Sequence, residues 1–214
     1  RRAGGSRSIH HRGRPGRPGL SRGSRLGIVG ACLEPFVRGR MIDPAAMVNR
    51  PAPGRDCGAC TLCCKVYEVP AVESKAGTWC RHCLPGRGCG IHETRPQHCR
   101  AFFCLWMTQD FLGPEWKPDR PRFVLTMDPT TRWLFVQVDP GAAQSWRKEP
   151  YFGQLRRWAA AGDRPVIVFV NKVATAIMAQ GEIPLGEIAA DERLVMRELP
   201  GGRKTLEKVQ AVGA

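Results

Sequence analysis

Nine of the ten cysteines in this chain lie between Cys57 and Cys104. They run Cys57-Gly-Ala-Cys60-Thr-Leu-Cys63-Cys64, then Cys80-Arg-His-Cys83, Cys89, Cys99 and Cys104. Thiols gathered this closely can pair as disulfides, act as a redox couple, or bind a metal. Disulfide frameworks belong to oxidising compartments, and an odd number leaves one thiol over. The apolar run Leu26-Gly-Ile-Val-Gly-Ala before Cys32 is shorter than a signal peptide requires. A thioredoxin-like couple uses one Cys-x-x-Cys, whereas here the motif continues to a third and a fourth cysteine. Metal binding accounts for the spacing, because two thiolates from one tight turn can reach a single ion. Structural zinc takes four such ligands and iron–sulfur clusters are held by thiolates too. Spacing does not separate the two, so the expected cofactor is zinc or iron, the latter including an iron–sulfur cluster.

If Cys57 to Cys64 is helical, Cys57, Cys60 and Cys64 share one face and Cys63 points elsewhere. Cys80 and Cys83 supply a second pair in a loop carrying Gly77, Gly86, Gly88 and Gly90, which lets backbone approach a metal. Thr94 as N-cap and Pro96 in the first turn predict a helix to about Met107, with Cys99 and Cys104 turned well apart on it. His82 and His98 are secondary ligand candidates beside cysteines. Arg81, Arg87, Arg95 and Arg100 could offset the negative charge of a thiolate cluster, or be ordinary solvated residues. Trp79 and Trp106 could shield a metal from water or simply pack. Asp110 and Glu115 are the only candidates for a catalytic pair near the cluster, and scattered surface acids are far commoner.

Cys57-x-x-Cys60-x-x-Cys63-Cys64, followed by Gly88-Cys89-x-Ile91-x-x-x-Arg95-Pro96-x-x-Cys99-Arg100-x-Phe102-x-Cys104-x-Trp106, resembles the CxxCxxCC, or YkgJ-like, cysteine-cluster family. The resemblance covers residues 57–106 and implies a zinc- or iron-chelating protein. It makes Cys57, Cys60, Cys63, Cys64, Cys89 and Cys99 the first ligand candidates, then Cys83, then Cys80 and Cys104, which fewer members share. His92 stands where the family usually has Tyr, which argues against His92 as an inherited ligand. Some relatives of the family are associated with protein-lysine methyltransferase activity, so the resemblance also implies an enzyme as the alternative.

The net charge of +14 loses most of its meaning once divided. Residues 1–50 hold eleven arginines against Glu34 and Asp43, leaving 22 basic and 17 acidic residues in the rest of the chain. The body is therefore only mildly basic, and no nucleic-acid partner follows from it. A zinc-ribbon-like nucleic-acid binder is kept as a third reading. Residues 1–46 are rich in Arg, Gly and Pro and are expected to be a disordered tail, or sequence upstream of a start at Met41 or Met47. No apolar run approaches the ~20 residues of a membrane-spanning helix, and a cytoplasmic setting is expected.

Beyond the cysteines the pattern changes to strands. Phe123–Met127 and Trp133–Val138 around a turn at Asp128 predict a hairpin. Ser145–Ala161 predicts a helix closed by Gly162, and Pro165–Val170 a strand turning at Asn171-Lys172 into Val173–Met178. Glu182–Leu185 and Leu194–Leu199 are weaker strands. The expected fold class is α+β, with a cysteine-rich metal-binding module (57–106) joined to a mainly antiparallel sheet with one or two helices (107–214), together one domain over 47–214.

Overall fold

In the computed structural model, residues 50–211 are described. The tail expected over residues 1–46, with Cys32, lies outside them. From residue 50 to 122, Gly, Pro and Cys interrupt every apolar run, and only short elements form. These are helix α1 (Cys63–Val66), strands β1 (Cys83–Leu84) and β2 (Gly88–Cys89), and helices α2 (Gln97–Ala101) and α3 (Leu105–Thr108). Cys57–Cys60 is a turn rather than helix, with the Cys60 N–H donating to the Cys57 carbonyl at 2.8 Å and Gly58 at φ +48°. The helix expected from Thr94 to about Met107 is also corrected. Pro96 caps α2, the chain turns extended at Phe102 and Cys104, and α3 starts afresh. Packing supplies the break: Phe102 packs against Tyr67 with the rings tilted and their centroids 5.0 Å apart, while Cys104 is buried against Leu62, Val66 and Val124.

The second half is a five-stranded sheet. Its strands are β3 (Phe123–Met127), β4 (Leu134–Val138), β5 (Val166–Val170), β6 (Val173–Met178) and β7 (Gly181–Glu187), in that spatial order. Three of the four pairings are antiparallel. β4 and β5 run parallel, register Leu134↔Val166 to Val138↔Val170, because helix α4 (Tyr151–Gly162) carries the chain back between them. The helix expected from Ser145 divides at Lys148–Pro150 into a single 3-10 turn, Ser145–Arg147, and then α4. Asp163, in the left-handed region at φ +45°, closes α4. Strands β8 (Glu192–Glu198) and β9 (Lys204–Gln210) form a separate hairpin. β8 was legible as a weak strand, but Lys204–Gln210 alternates too many charges with its Leu206 and Val209 to stand out.

Period-2 alternation gives the sheet two buried faces. On one, Leu155 and Ala159 of α4 meet Phe123, Leu125, Leu134, Val136, Val166, Val168 and Ile177. On the other, Ile167, Ala174, Ala176 and Met178 are covered by Leu194 and Met196 of β8 and Leu206 of β9. The fold is α+β, with a mixed but mainly antiparallel sheet and one substantial helix. No helix among the described residues is long and apolar enough to cross a membrane.

The cysteine segment rides on edge strand β3. Val124, fully buried, points away from α4 into Leu62, Val66, Cys104 and Met107, while Leu105 joins the α4 side. A buried ion group reinforces the joint. The Asp139 carboxylate, 0% exposed at the end of β4, takes Lys65 of α1 at 2.7 Å, the Arg122 guanidinium and the Gly141 N–H at 2.9 Å.

Candidate metal centre

The two Cys-x-x-Cys turns are built alike: Cys60 N–H donates to Cys57 O at 2.8 Å, and Cys83 N–H to Cys80 O at 2.9 Å. Each is a single tight turn. The second turn is fastened to α1, since Cys80 N–H donates to the Cys64 carbonyl at 2.9 Å and Gly86 N–H to Thr61 Oγ1 at 3.2 Å. Cys83 then lies directly opposite Cys89 across the β1–β2 ribbon. Gly86 and Gly88, at φ +71° and +121°, make that reversal possible. Cys99 sits on α2, and Cys104 begins α3 with its carbonyl accepting the Met107 N–H at 2.9 Å. All nine thiols are free.

The sulfurs interact. Thr61 and Cys64 lie beside Cys83, and Cys63 lies beside Cys64. The neighbouring Cys63 thiol, then burial, carries the Cys64 thiol far above its ordinary range. Burial, then the neighbouring Cys64, pushes Cys83 up to about 11. Burial likewise pushes Cys104 up to about 11 and raises Cys57, Cys60 and Cys99. A nucleophilic or redox thiolate needs its pKa lowered, and none of these six moves that way. Thiolate ligation of a cation releases the thiol protons, and burial here favours the thiol form in the absence of one.

Arg95 is the one of the four candidate arginines that faces the cluster. Its positive charge opposes ionisation shifts at Cys57, Cys64 and Cys99, and its Nε is buried without a hydrogen-bond partner. Arg81 instead pairs with Glu73 at the surface, and Arg100 Nε donates to the Arg95 carbonyl at 2.8 Å. His82 is engaged by Arg81 Nε at 3.3 Å, His92 contacts Glu93, and His98 is exposed. Trp79 is 39% exposed beneath Lys65, and Trp106 lies between Arg55 and Lys117. Asp110 and Glu115 are both exposed and share no hydrogen bond among the described residues. A shallow cleft of about 350 Å³ beside Pro51 and Gln109 is lined by none of the cysteines.

The fit of these residues to a thiophilic metal rests on donor chemistry and on one orphaned group. Soft sulfur donors are present in number, and a buried guanidinium N–H among them lacks the acceptor that a charged thiolate would be. Among the described residues, no three His, Cys, Asp or Glu side chains already stand in the arrangement of a coordination shell. Binding therefore requires the sulfurs to be drawn together. Residues that spacing alone did not bring forward are Thr61, which ties the second turn to the first, and the Lys65–Asp139–Arg122 group.

Comparison with known proteins adds no relative: no family model, no curated protein and no solved structure matches the chain.

Proposed function

We propose that this protein binds metal through its cysteine segment, holding zinc or an iron–sulfur cluster. The observation that carries the reading is the pair of like-built Cys-x-x-Cys turns, the second fastened to Cys64 and Thr61, with the Arg95 Nε buried and unpartnered. A hydrophobic core does not explain nine thiols in one place, and a nucleophile does not need them. Cys57, Cys60, Cys63, Cys64, Cys80, Cys83, Cys89, Cys99 and Cys104 are the ligand candidates. The likeness to the CxxCxxCC family supports the same assignment, and membership of that family is part of the proposal. The bound metal would supply cross-links between loops too short to stabilise one another, as structural zinc does. The protein's own groups would orient and neutralise. Arg95 sets positive charge beside the thiolates, and Lys65–Asp139 fixes α1 to the sheet.

The experiment is anaerobic purification with metal analysis and an absorbance spectrum of the same sample. Stoichiometric zinc in a colourless protein supports a closed structural site. Broad visible absorbance with iron and sulfide supports a cluster and moves the role towards redox or enzyme chemistry, the methyltransferase alternative included. No metal, with Cys57→Ala and Cys60→Ala changing neither folding nor melting, defeats the proposal. The nucleic-acid reading is tested separately, by heparin retention and its salt slope.

A further inference from the structure

Cys83 and Cys89 are direct partners across the β1–β2 ribbon. The Gly90 N–H donates to the His82 carbonyl at 2.8 Å, one residue outside the pair on each strand. That pattern makes Cys83↔Cys89 a non-hydrogen-bonded pair, in which the two Cα atoms approach to about 4.5 Å and the side chains leave the same face. A disulfide spans Cα atoms about 4.4–6.8 Å apart, so the backbone already holds these two cysteines within bonding reach. Only the reversal Leu84–Gly88 separates them, tightened by the Arg87 N–H donating to the Leu84 carbonyl at 2.8 Å. Closing so short a ring costs little chain entropy. Among the described residues, no other two cysteines are strand partners. The Cys80–Cys83 turn brings its ends only to within about 7 Å.

We propose that Cys83 and Cys89 are a modification site, an oxidisable pair that a low-molecular-weight disulfide of the glutathione type converts into a cross-strand disulfide. Cys83 is buried and Cys89 is partly open to solvent, so the oxidant meets Cys89 first. The Cys89 thiolate attacks one sulfur of the oxidant, a mixed disulfide forms, and one small thiolate leaves. Cys83 Sγ then attacks Cys89 Sγ and expels the second. Each protein thiol gives up its proton and each leaving thiolate takes one, so two protein thiols are oxidised while one small disulfide is reduced to two thiols. Burial favours the thiol form of Cys83, and the second step draws on proximity rather than on a reactive thiolate. The outcome is a staple across the ribbon, not a couple built to turn over. The bond needs no metal, so the inference stands apart from the metal-binding reading above. Where metal does bind, the bond withdraws two candidate ligands.

The test exposes the full chain, as purified and again after treatment with a chelator, to oxidised glutathione. Remaining thiols are alkylated, and tryptic peptides are mapped by mass spectrometry without reduction. Arg87 lies between the pair, so cleavage there separates a peptide whose one cysteine is Cys83 from the peptide carrying Cys89 and Cys99. The expected result in the chelated chain is that these two peptides are joined, with fragmentation placing the bond at Cys89. Cys83→Ser should instead leave glutathione on Cys89. Cys83 joined to Cys80, Cys64 or Cys99, or scattered over several partners, overturns the proposal. So does a Cys83 that remains alkylatable after other cysteines have been oxidised, or a chain that forms no disulfide. The mapping is made on the natural chain and holds even if the variant does not fold. Metal content, measured on the same preparation before chelation, reports separately on the metal-binding reading.

Discussion

The cysteine segment and the sheet are held together by different physics, although they share one chain. In the sheet, strands of five to seven residues and the twelve-residue α4 bury Val136, Leu155, Ala159, Ile167 and Ala176 completely. Such burial contributes about 25 cal/mol per Å² of apolar surface, enough to define a register and a core. In the cysteine segment no element exceeds five residues, and its buried apolar side chains gather only where it touches β3. From Cys80 to Arg100, Cys83 alone is buried. Ordering that loop costs conformational entropy that its own packing does not offset. The contrast teaches that apolar burial is concentrated in the sheet, while the loop from Cys80 to Arg100 is held mainly by backbone hydrogen bonds.

The largest expected effect breaks the comparison or makes it. Removing metal with a chelator under reducing conditions should deprotect residues 80–100 in hydrogen exchange and leave β4, β5 and β6 protected. Structural zinc sites are worth about 10–16 kcal/mol in apparent binding energy, so the loss should be complete locally. Unchanged exchange at residues 80–100 would mean the loop is stable by itself.

Next in size, Leu155→Ala should cost about 2–5 kcal/mol in denaturant unfolding, because this fully buried side chain joins α4 to both β4 and β5. Its metal content should stay unchanged, which distinguishes the sheet's stability from the segment's binding.

The joint between the regions is sharpened by Asp139→Asn. Breaking a buried charge group costs about 3–5 kcal/mol, and since Arg122 is half open to solvent the lower end is expected. Burial pushes the Asp139 pKa up, but the Lys65 hydrogen bond, the Gly141 N–H and the Arg122 charge outweigh it, so the carboxyl lies below its ordinary value. A depressed carboxylate stabilises the folded state above its unfolded pKa of about 3.9, and that stability disappears as pH falls through the folded value. The acid limb of a stability profile, below about pH 4, should therefore flatten in Asp139→Asn.

The smallest effect is expected at the surface. Arg147 pairs with Glu182 at 2.7 Å and lies 4.0 Å from the Trp146 ring centroid. Arg147→Ala should cost about 1 kcal/mol, much of it screened by salt. A larger loss would show that the α4 side of the sheet relies on charge as well as on packing.

Legibility in the sequence followed the same boundary. The β3–β4 hairpin, the Asn171 turn and the β5 and β6 strands were readable because alternation of β-branched and aromatic residues is a local signal tied to a buried face. The parallel β4–β5 pair was not readable, since it is decided by where α4 docks. Within the cysteine segment, the turns at Cys57–Cys60 and Cys80–Cys83 matched their motif, whereas the helix expected from Thr94 to Met107 was broken by contacts of Phe102 and Cys104. His82 and His98, each beside a cysteine, had no local feature to separate them from ligands; the structure sets His82 against Arg81 and leaves His98 exposed.

By itself the sequence determined the α+β class and most strand positions, and it named the clustered cysteines as ligand candidates. These depend on residue type and on short-range periodicity. Only the tertiary structure decided that Arg95, rather than Arg81, Arg87 or Arg100, turns towards the thiols, and that Cys83 faces Cys89. It also decided that Lys65, next to Cys64, reaches a carboxylate at the far end of β4. Such pairings join residues distant in the chain, and a buried charge or an unpartnered donor acquires its meaning only from what the fold sets beside it.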